Sequence, residues 1–407
     1  PDRRKTLKQT EIIEQKKLSE IIPSRTDDSF FGKLPENIKI FCVGGVIRDL
    51  LLDRQASDKD FLLVGADLKT LLKMGLLPIG KDFPVFLHPI SKEEIALART
   101  EKKKGKGYKG FQFNSSKDVT LKEDLQRRDF TINAMALDEN GTLFDFFSGM
   151  KDLKSKVFRH IGPEFTEDPL RLIRLARFLS CYQEFTVHDS TMDLCKKIVV
   201  TGEIVAISKE RIWMELSKGL SGNKPINMIN FLEKTNAWKT ITGSEKLSGH
   251  SKKQLQYASV NDFSVFWKAA LIFSNSNDLK IHCIIPNEVL NLKKILLQSE
   301  ALKQKLKTLE KNSRDYSLSI LAFIESSDLF RKPDRKKPIL ELMFFEENSC
   351  LDLKIKNGFE IFSNIFDSVL NTPVNRVVKK ATEQNKLIKE EVRSFRNKII
   401  RKILREN

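Results

Sequence analysis

The chain has 407 residues, 40% of them hydrophobic and 31% charged, too long for one core and consistent with two to four packing units. No run of ~20 apolar residues occurs, so no membrane-spanning helix is expected. A net charge of +17 and an isoelectric point near 9.5 favour a polyanionic partner, although a solvated Lys-rich surface would carry the same charge.

Residues 1–37 are polar, lack clear apolar periodicity and read as an arm, partly helical or disordered. They contain no apolar signal core, and with Pro at position 1 a processed segment upstream stays open. Residues 38–43 form a short apolar run ended by Gly44-Gly45, the pattern of a buried strand entering a turn, and residues 46–52 continue as a helix. Residues 58–64 read as a second strand, residues 67–74 as a helix, residues 80–84 as a loop and residues 94–98 as a third strand. The Gly- and Lys-rich stretch 101–110 reads as a mobile loop able to close over phosphates, or as a solvated one. From Glu167 onward helical spacing dominates, with Leu170, Ile173, Leu175 and Phe178, then Ile212, Leu216 and Leu220 on single faces. The last stretch, 376–407, is basic and helical in pattern. It would either meet RNA phosphates over residues 379–405 or pack on the body as an amphipathic helix.

The chemistry centres on Asp58-Lys59-Asp60. Alternate residues of a strand point to one face, so the two carboxylates project together, with Lys59 opposite. Adjacent carboxylates repel unless a cation lies between them, and Mg²⁺ is held by one or two carboxylates plus substrate phosphates. An Asp-x-Asp pair alone is common on solvated surfaces. Its context is Gly44-Gly45-Val46-Ile47-Arg48-Asp49 upstream, where two glycines allow close phosphate approach and Arg48 offers a fork of donors.

Residues 41–64 resemble the signature of the class II tRNA nucleotidyltransferase and bacterial poly(A) polymerase family, within the DNA polymerase β-like superfamily. The likeness continues in order along residues 38–222. Arg127-Arg128-Asp129 resembles the RRD segment, and residues 138–153 the next motif. Glu167-Asp168-Pro169-Leu170-Arg171 resembles the EDxxR motif, and Glu210-Arg211-Ile212 the last one. The resemblance implies an α+β fold: a nucleotidyltransferase head over residues 38–160, a helical neck over 161–222 with a nucleotide-selecting motif, and a helical body and basic tail over 223–407 for tRNA binding. It implies that Arg128 contacts the nucleotide, with packing against Asp129 as the alternative. It also implies a third carboxylate on the strand at Glu94, with Glu93 as its rival.

The EDxxR segment has its own logic. On a helix, Asp168 and Arg171 would share a face. Cytosine and adenine both present an amino donor beside a ring-nitrogen acceptor, so Asp168 can accept while Arg171 donates. Uracil and guanine reverse that order. An exposed i,i+3 salt bridge is the plainer reading. Arg174 and Arg177 follow at the same spacing; the resemblance gives them to the triphosphate or the base-reading pair, and solvated helix charges are the alternative.

His188-Asp189 stands without further ligands at suitable spacing, and Ile272-Phe273-Ser274-Asn275 occupies the place where some relatives carry a phosphohydrolase metal dipeptide, so a second, hydrolytic activity is not expected. Cys42, Cys181, Cys195, Cys283 and Cys350 form no CxxC pair and read as reduced thiols of a cytoplasmic protein. The function expected is Mg²⁺-dependent addition of CMP, CMP and AMP from CTP and ATP to the tRNA 3′ end without a template. A poly(A) polymerase or a CC- or A-adding enzyme is the alternative. A non-catalytic RNA-binding protein is a third reading, disfavoured by the intact site residues.

Overall fold

A computed structural model describes residues 18–55, 58–79, 85–103, 111–274, 276, 281–311, 313–345 and 353–406. The chain is α+β: a mixed sheet with helices comes first and an almost wholly helical remainder follows. The sheet is built from β1 (Lys39–Val43), β2 (Asp60–Val64), β3 (Pro78–Ile79), β4 (Val85–Leu87), β5 (Glu94–Leu97), β8 (Ala136–Asp138) and β9 (Leu143–Phe144), in the order β3-β4-β5-β2-β1-β8-β9. Among the described residues of this sheet β2 and β5 run parallel, and the other pairs are antiparallel. β6 (Thr100–Lys103) and β7 (Phe111–Asn114) form a separate hairpin. Its intervening residues 104–110, the expected mobile loop, lie outside the described residues, as does the loop 80–84.

Strand alternation sorts the sheet into two faces. Ile40, Cys42, Phe61, Leu63, Ile95 and Leu97 enter the main core. Phe41, Val43, Leu62 and Ala136 face a smaller cluster closed by Leu121 and Leu125 of the helix Leu121–Gln126. The second face also carries the ionisable ends of β2 and β5.

Residues 18–37, the described part of the segment before β1, are not a detached polar arm, and residues 1–17 lie outside the described residues. Leu18, Ile21, Phe30, Phe31 and Leu34 are buried in the main core, and Phe31 meets Phe61 edge-on at 4.9 Å. Over residues 19–37 the apolar residues have no single period, because the regular elements described there are short 3₁₀ turns, Ser19–Ile21 and Phe31–Lys33. Periodicity is a signal of regular elements, and this segment packs without being one.

After residue 167 the elements are helices, except that β10 (Val157–Phe158) pairs with β11 (Thr186–Val187) in a short parallel ladder. The helix Leu170–Cys181 buries Leu172, Ile173, Leu175 and Ala176 on one side and turns Arg174 and Arg177 to the other. It lies close to the helix Lys209–Leu220: a Cβ on Gly219 would stand 3.4 Å from Arg177 Cα, in ordinary contact, and 2.3 Å from Met228 Sδ, which would have to shift. The final helices, Asn375–Glu383 and Ile388–Glu406, bear out the helical reading of the tail. The last one packs inward through Ile400, Ile403 and Leu404, stacks Arg396 on Phe330 at 3.8 Å and pairs Arg393 with Glu325 at 3.3 Å. Cys42, Cys195 and Cys283 are buried free thiols and Cys181 is half-buried; Cys350 lies outside the described residues. Among the described residues, no helix is long and apolar enough to cross a membrane.

Phe31→Ala is expected to cost roughly 3–5 kcal/mol, the usual cost of truncating a buried aromatic, read as a lower denaturation midpoint in urea. A change within error would mean that the segment is not part of the core.

Candidate active site

A cleft of about 550 Å³ opens between the sheet and the helix Leu170–Cys181. Asp60, Glu94, Val43, Gly44 and Gly45 line one side. Arg48, Arg128, Asp129, Asp168, Arg171, Arg174, Arg177, Phe178 and Arg211 line the rest. The sequence-derived candidates are thus gathered around one space, with the exception of Asp58, which is exposed beside it.

The carboxylate end follows from strand register. Val43 of β1 pairs with Asp60, and Asp60 pairs with Glu94 across the parallel ladder. Side chains opposite one another share a face, so Asp60 and Glu94 stand together on the second face. β2 begins at Asp60 rather than at Asp58, which correspondingly precedes the strand. Lys59 turns the other way and donates to the Glu20 carbonyl at 3.2 Å. Partial burial pushes the Asp60 carboxyl up to about 6, helped by the charges of Glu94 and Asp58 and opposed by Arg128. An all-oxygen donor set with mutual repulsion suits a hard divalent cation. Among the described residues no group of three or more His, Cys, Asp or Glu forms a complete metal cage, so substrate oxygens would have to complete the coordination.

Gly44 makes this end possible. Its φ of +86° is unfavourable for any residue with a side chain, and a Cβ there would lie 3.1 Å from Arg128 Nη1 and 3.8 Å from Asp60 Oδ2. Arg128 therefore sits directly over the turn, beside Asp60. Its partner is Asp124, not the neighbouring Asp129: buried Asp124 accepts from Arg128 at 3.3 Å and from Arg127 at 2.8 and 3.0 Å. Burial raises the Asp124 carboxyl, but Arg127 and Arg128 hold it below the ordinary range.

Asp129 is spent on the helix. Its Oδ2 accepts from Arg174 Nε at 2.9 Å and Nη2 at 2.8 Å, and its Oδ1 from Asn133 at 2.8 Å. Burial opposes its ionisation, yet Arg174, Asn133 and the Arg171 charge hold it at about 2. Glu215 pairs with Arg177 at 2.6 Å and lies 3.8 Å from Arg174.

Four expectations are corrected. Arg48 is not an open fork: it donates to Asp49 at 3.0 Å through Nε and Nη2, donates to Asn133 and lies against the Tyr182 ring at 4.9 Å. Asp168 and Arg171 do not share a helix face, because the helix begins at Leu170 and Asp168 has extended φ/ψ of −109° and 100°. Nor do the two form an i,i+3 pair. Asp168 Oδ2 lies 3.5 Å from Arg211, and its Oδ1 accepts from the Leu170 N–H at 3.1 Å. Arg171 donates to the carbonyls of Glu164, at 2.9 Å, and Arg127. Arg174 and Arg177 are ion-paired rather than solvated.

Sequence reasoning missed Asp124, Asn133 and Glu215 as organisers of the arginines. Asp124 had a signal, standing three and four residues before Arg127 and Arg128 at a helix end. Asn133 and Glu215 had none short of three-dimensional contact. His188 caps the helix Asp189–Val200 and contacts Arg159 Nη1 at 2.6 Å, a local role.

Residues 40–159 match the family described as the Poly A polymerase head domain. The chain is 49% identical over 204 residues to a multifunctional CCA protein of Methylobacillus flagellatus, covering 50% of each. It is 45% identical over 231 residues to a CCA-adding enzyme of Coxiella burnetii, covering 56% of this chain and 61% of that one. The chain spans about half the length of the curated relatives it matches. Its fold resembles that of the Thermotoga maritima CCA-adding enzyme complexed with tRNA(CCA), with a TM-score of 0.68 at 20% identity over 96% of this chain and 97% of that one.

A carboxyl raised in the folded state stabilises the fold below its ordinary pKa and loses that contribution as pH rises through about 6. Asp60→Asn should therefore raise the melting temperature of the metal-free protein at about pH 8 and leave it nearly unchanged near pH 4. A lower melting temperature at the alkaline end would contradict the assigned environment.

Proposed function

We propose that the chain is a member of the class II tRNA nucleotidyltransferase and poly(A) polymerase family and that it adds CMP, CMP and AMP from CTP and ATP to the tRNA 3′ end. Each step releases pyrophosphate and uses no nucleic-acid template. The observation that carries this reading is one cleft with carboxylates at one end and arginines along the rest. That layout suits a triphosphate bridged to a cation. Relatives named as CCA-adding favour tRNA over a generic RNA.

Mg²⁺ is the cation this donor set suits, held by Asp58 and Asp60 together with substrate oxygens. Bound there it would neutralise charge on the triphosphate and acidify the primer hydroxyl. Glu94, paired with Asp60 in register, is placed to accept the proton of the 3′ hydroxyl. Arg128 lies over Gly44, where a phosphate would approach, and Asp124 orients its guanidinium. Gly44 and Gly45 leave room for that approach.

Asp168 accepts from the Leu170 N–H through Oδ1 and from Arg211 through Oδ2, and its remaining lone pairs serve the amino group of cytosine or adenine. Arg171 has five N–H donors and uses two of its terminal nitrogens on carbonyls; its remaining donors serve the ring nitrogen. Arg48, Arg174 and Arg177 act through the charge they place on the cleft wall and through the ion pairs that hold the wall together. The tRNA body is proposed to follow the helices after residue 223, where Lys379, Lys380, Lys389, Lys398 and Lys402 are exposed. Binding through such residues weakens steeply with salt.

The test is extension of a tRNA lacking CCA with each nucleotide supplied singly and then together. CTP alone should add only the two cytidines, and ATP should add one adenosine once they are in place. Long ATP-only tracts on a generic RNA would replace this reading with poly(A) synthesis. Asp60→Ala should abolish transfer and leave tRNA affinity within about twofold, because binding rests on phosphate contacts elsewhere; unchanged turnover would remove Asp60 from the site.

A further inference from the structure

The segment before β1 crosses the sheet on the face away from the carboxylates. At one end Arg25 pairs with Glu139, beyond β8, at 2.7 Å. In the middle Phe31 packs on Phe61, the residue after Asp60. At the other end Asp28 meets His88, just past β4, at 3.1 Å.

The His88 contact is built, not incidental. The ring is 1% exposed and packs against Phe30 and Phe31 at 5.3 and 5.1 Å between centroids. Its Nδ1 accepts from the backbone N–H groups of Ser91 at 3.1 Å and Ile90 at 3.4 Å. Nδ1 is thus the acceptor and Nε2 carries the proton donated to Asp28. Asp28 in turn accepts from the N–H groups of Phe30 at 2.8 Å and Phe31 at 3.0 Å. The His88 N–H donates to the Glu93 carbonyl at 2.8 Å, and its carbonyl accepts from Lys92 at 3.0 Å. The imidazole therefore fixes the whole turn from β4 to β5, and the first residue of β5 is Glu94, opposite Leu87 on one side and Asp60 on the other.

Two carboxylates on paired strands repel, so the backbone beneath them must be held if they are to stay in register. We infer that Asp28 and His88 are positioning residues for the Asp60–Glu94 pair, and that the segment carrying Asp28 is a strap that belongs to the reaction centre although it touches no substrate. The inference rests on the proposed nucleotidyl transfer.

The experiment uses the full chain and compares His88→Ala, His88→Gln and Asp28→Asn with Arg25→Ala, which loosens the far end of the same strap. Melting temperature, Mn²⁺ affinity by electron paramagnetic resonance, and kcat and KM for CTP are measured for each. Removing a group that orients a metal ligand typically changes affinity or rate by about 10–100-fold, and His88 acts on Asp60 through the backbone leading to Glu94, so the low end of that range applies. His88→Ala and Asp28→Asn should weaken Mn²⁺ binding and lower kcat by about tenfold, with KM for CTP unchanged, and His88→Gln, which restores a donor to Asp28, should recover part of the loss. Arg25→Ala should lower the melting temperature without moving Mn²⁺ affinity. Folded His88→Ala with wild-type Mn²⁺ affinity and kcat overturns the inference; if that variant does not fold, the same two readouts on Asp28→Asn decide. Equal losses in Arg25→Ala also overturn it, since the strap would then be merely structural. A wild-type chain that binds Mn²⁺ but transfers no nucleotide counts against the proposed function, and the Mn²⁺ comparison still judges the strap.

Discussion

The arrangement depends on one buried carboxylate. Asp129, between the helix Leu121–Gln126 and β8, is held by Arg174 of the helix Leu170–Cys181 and by Asn133. Burial of a charge is costly unless it is paired and hydrogen-bonded, and here both oxygens are satisfied. The pair fixes the helix against the sheet, which sets the width of the cleft. It also explains why the cleft wall can be so rich in arginine. Asp124, Asp129, Glu215 and Asp49 each neutralise one or two guanidiniums from behind, leaving positive charge toward the cleft without leaving it uncompensated in the fold.

The opposite end of the cleft has the inverse problem. Asp60 and Glu94 face each other across β2 and β5, with Asp58 close enough to disfavour ionisation of Asp60. Arg128 relieves part of this repulsion, and it can do so only because Gly44 lacks a side chain. A site that is repulsive at one end and electropositive along the other is preorganised for a ligand that brings both a cation and several phosphate oxygens. The protein contributes position and charge, which is what the proposed nucleotidyl transfer would require of it.

Much of this was legible in the sequence, and the limits are physical. The strand–Gly-Gly–helix unit and the later helical spacing are local patterns, and the structure has them where periodicity placed them. Asp60 and Glu94 lie on the strands read from the sequence, yet their pairing is a matter of register between distant segments. The short strands β3 and β4 escaped because they are two and three residues long. The helix-face argument for Asp168 failed because Pro169 stands at the helix N-cap and leaves Asp168 outside it. The burial of Phe30 and Phe31 was invisible for another reason: irregular segments pack through individual contacts and leave no period. The partners of the arginines were the least readable, since Asn133 and Glu215 are separated in sequence from Arg48 and Arg177 by whole elements.

Calorimetric titration of the tRNA-free protein with CTP, ATP, UTP and GTP, with Mg²⁺ present, tests without depending on catalysis whether this cleft recognises a nucleoside triphosphate and selects its base through Asp168 and Arg171, as proposed. CTP and ATP should bind, and UTP and GTP should bind at least about tenfold more weakly, the scale of a reversed donor–acceptor pair. Equal affinity for all four nucleotides would contradict the proposal.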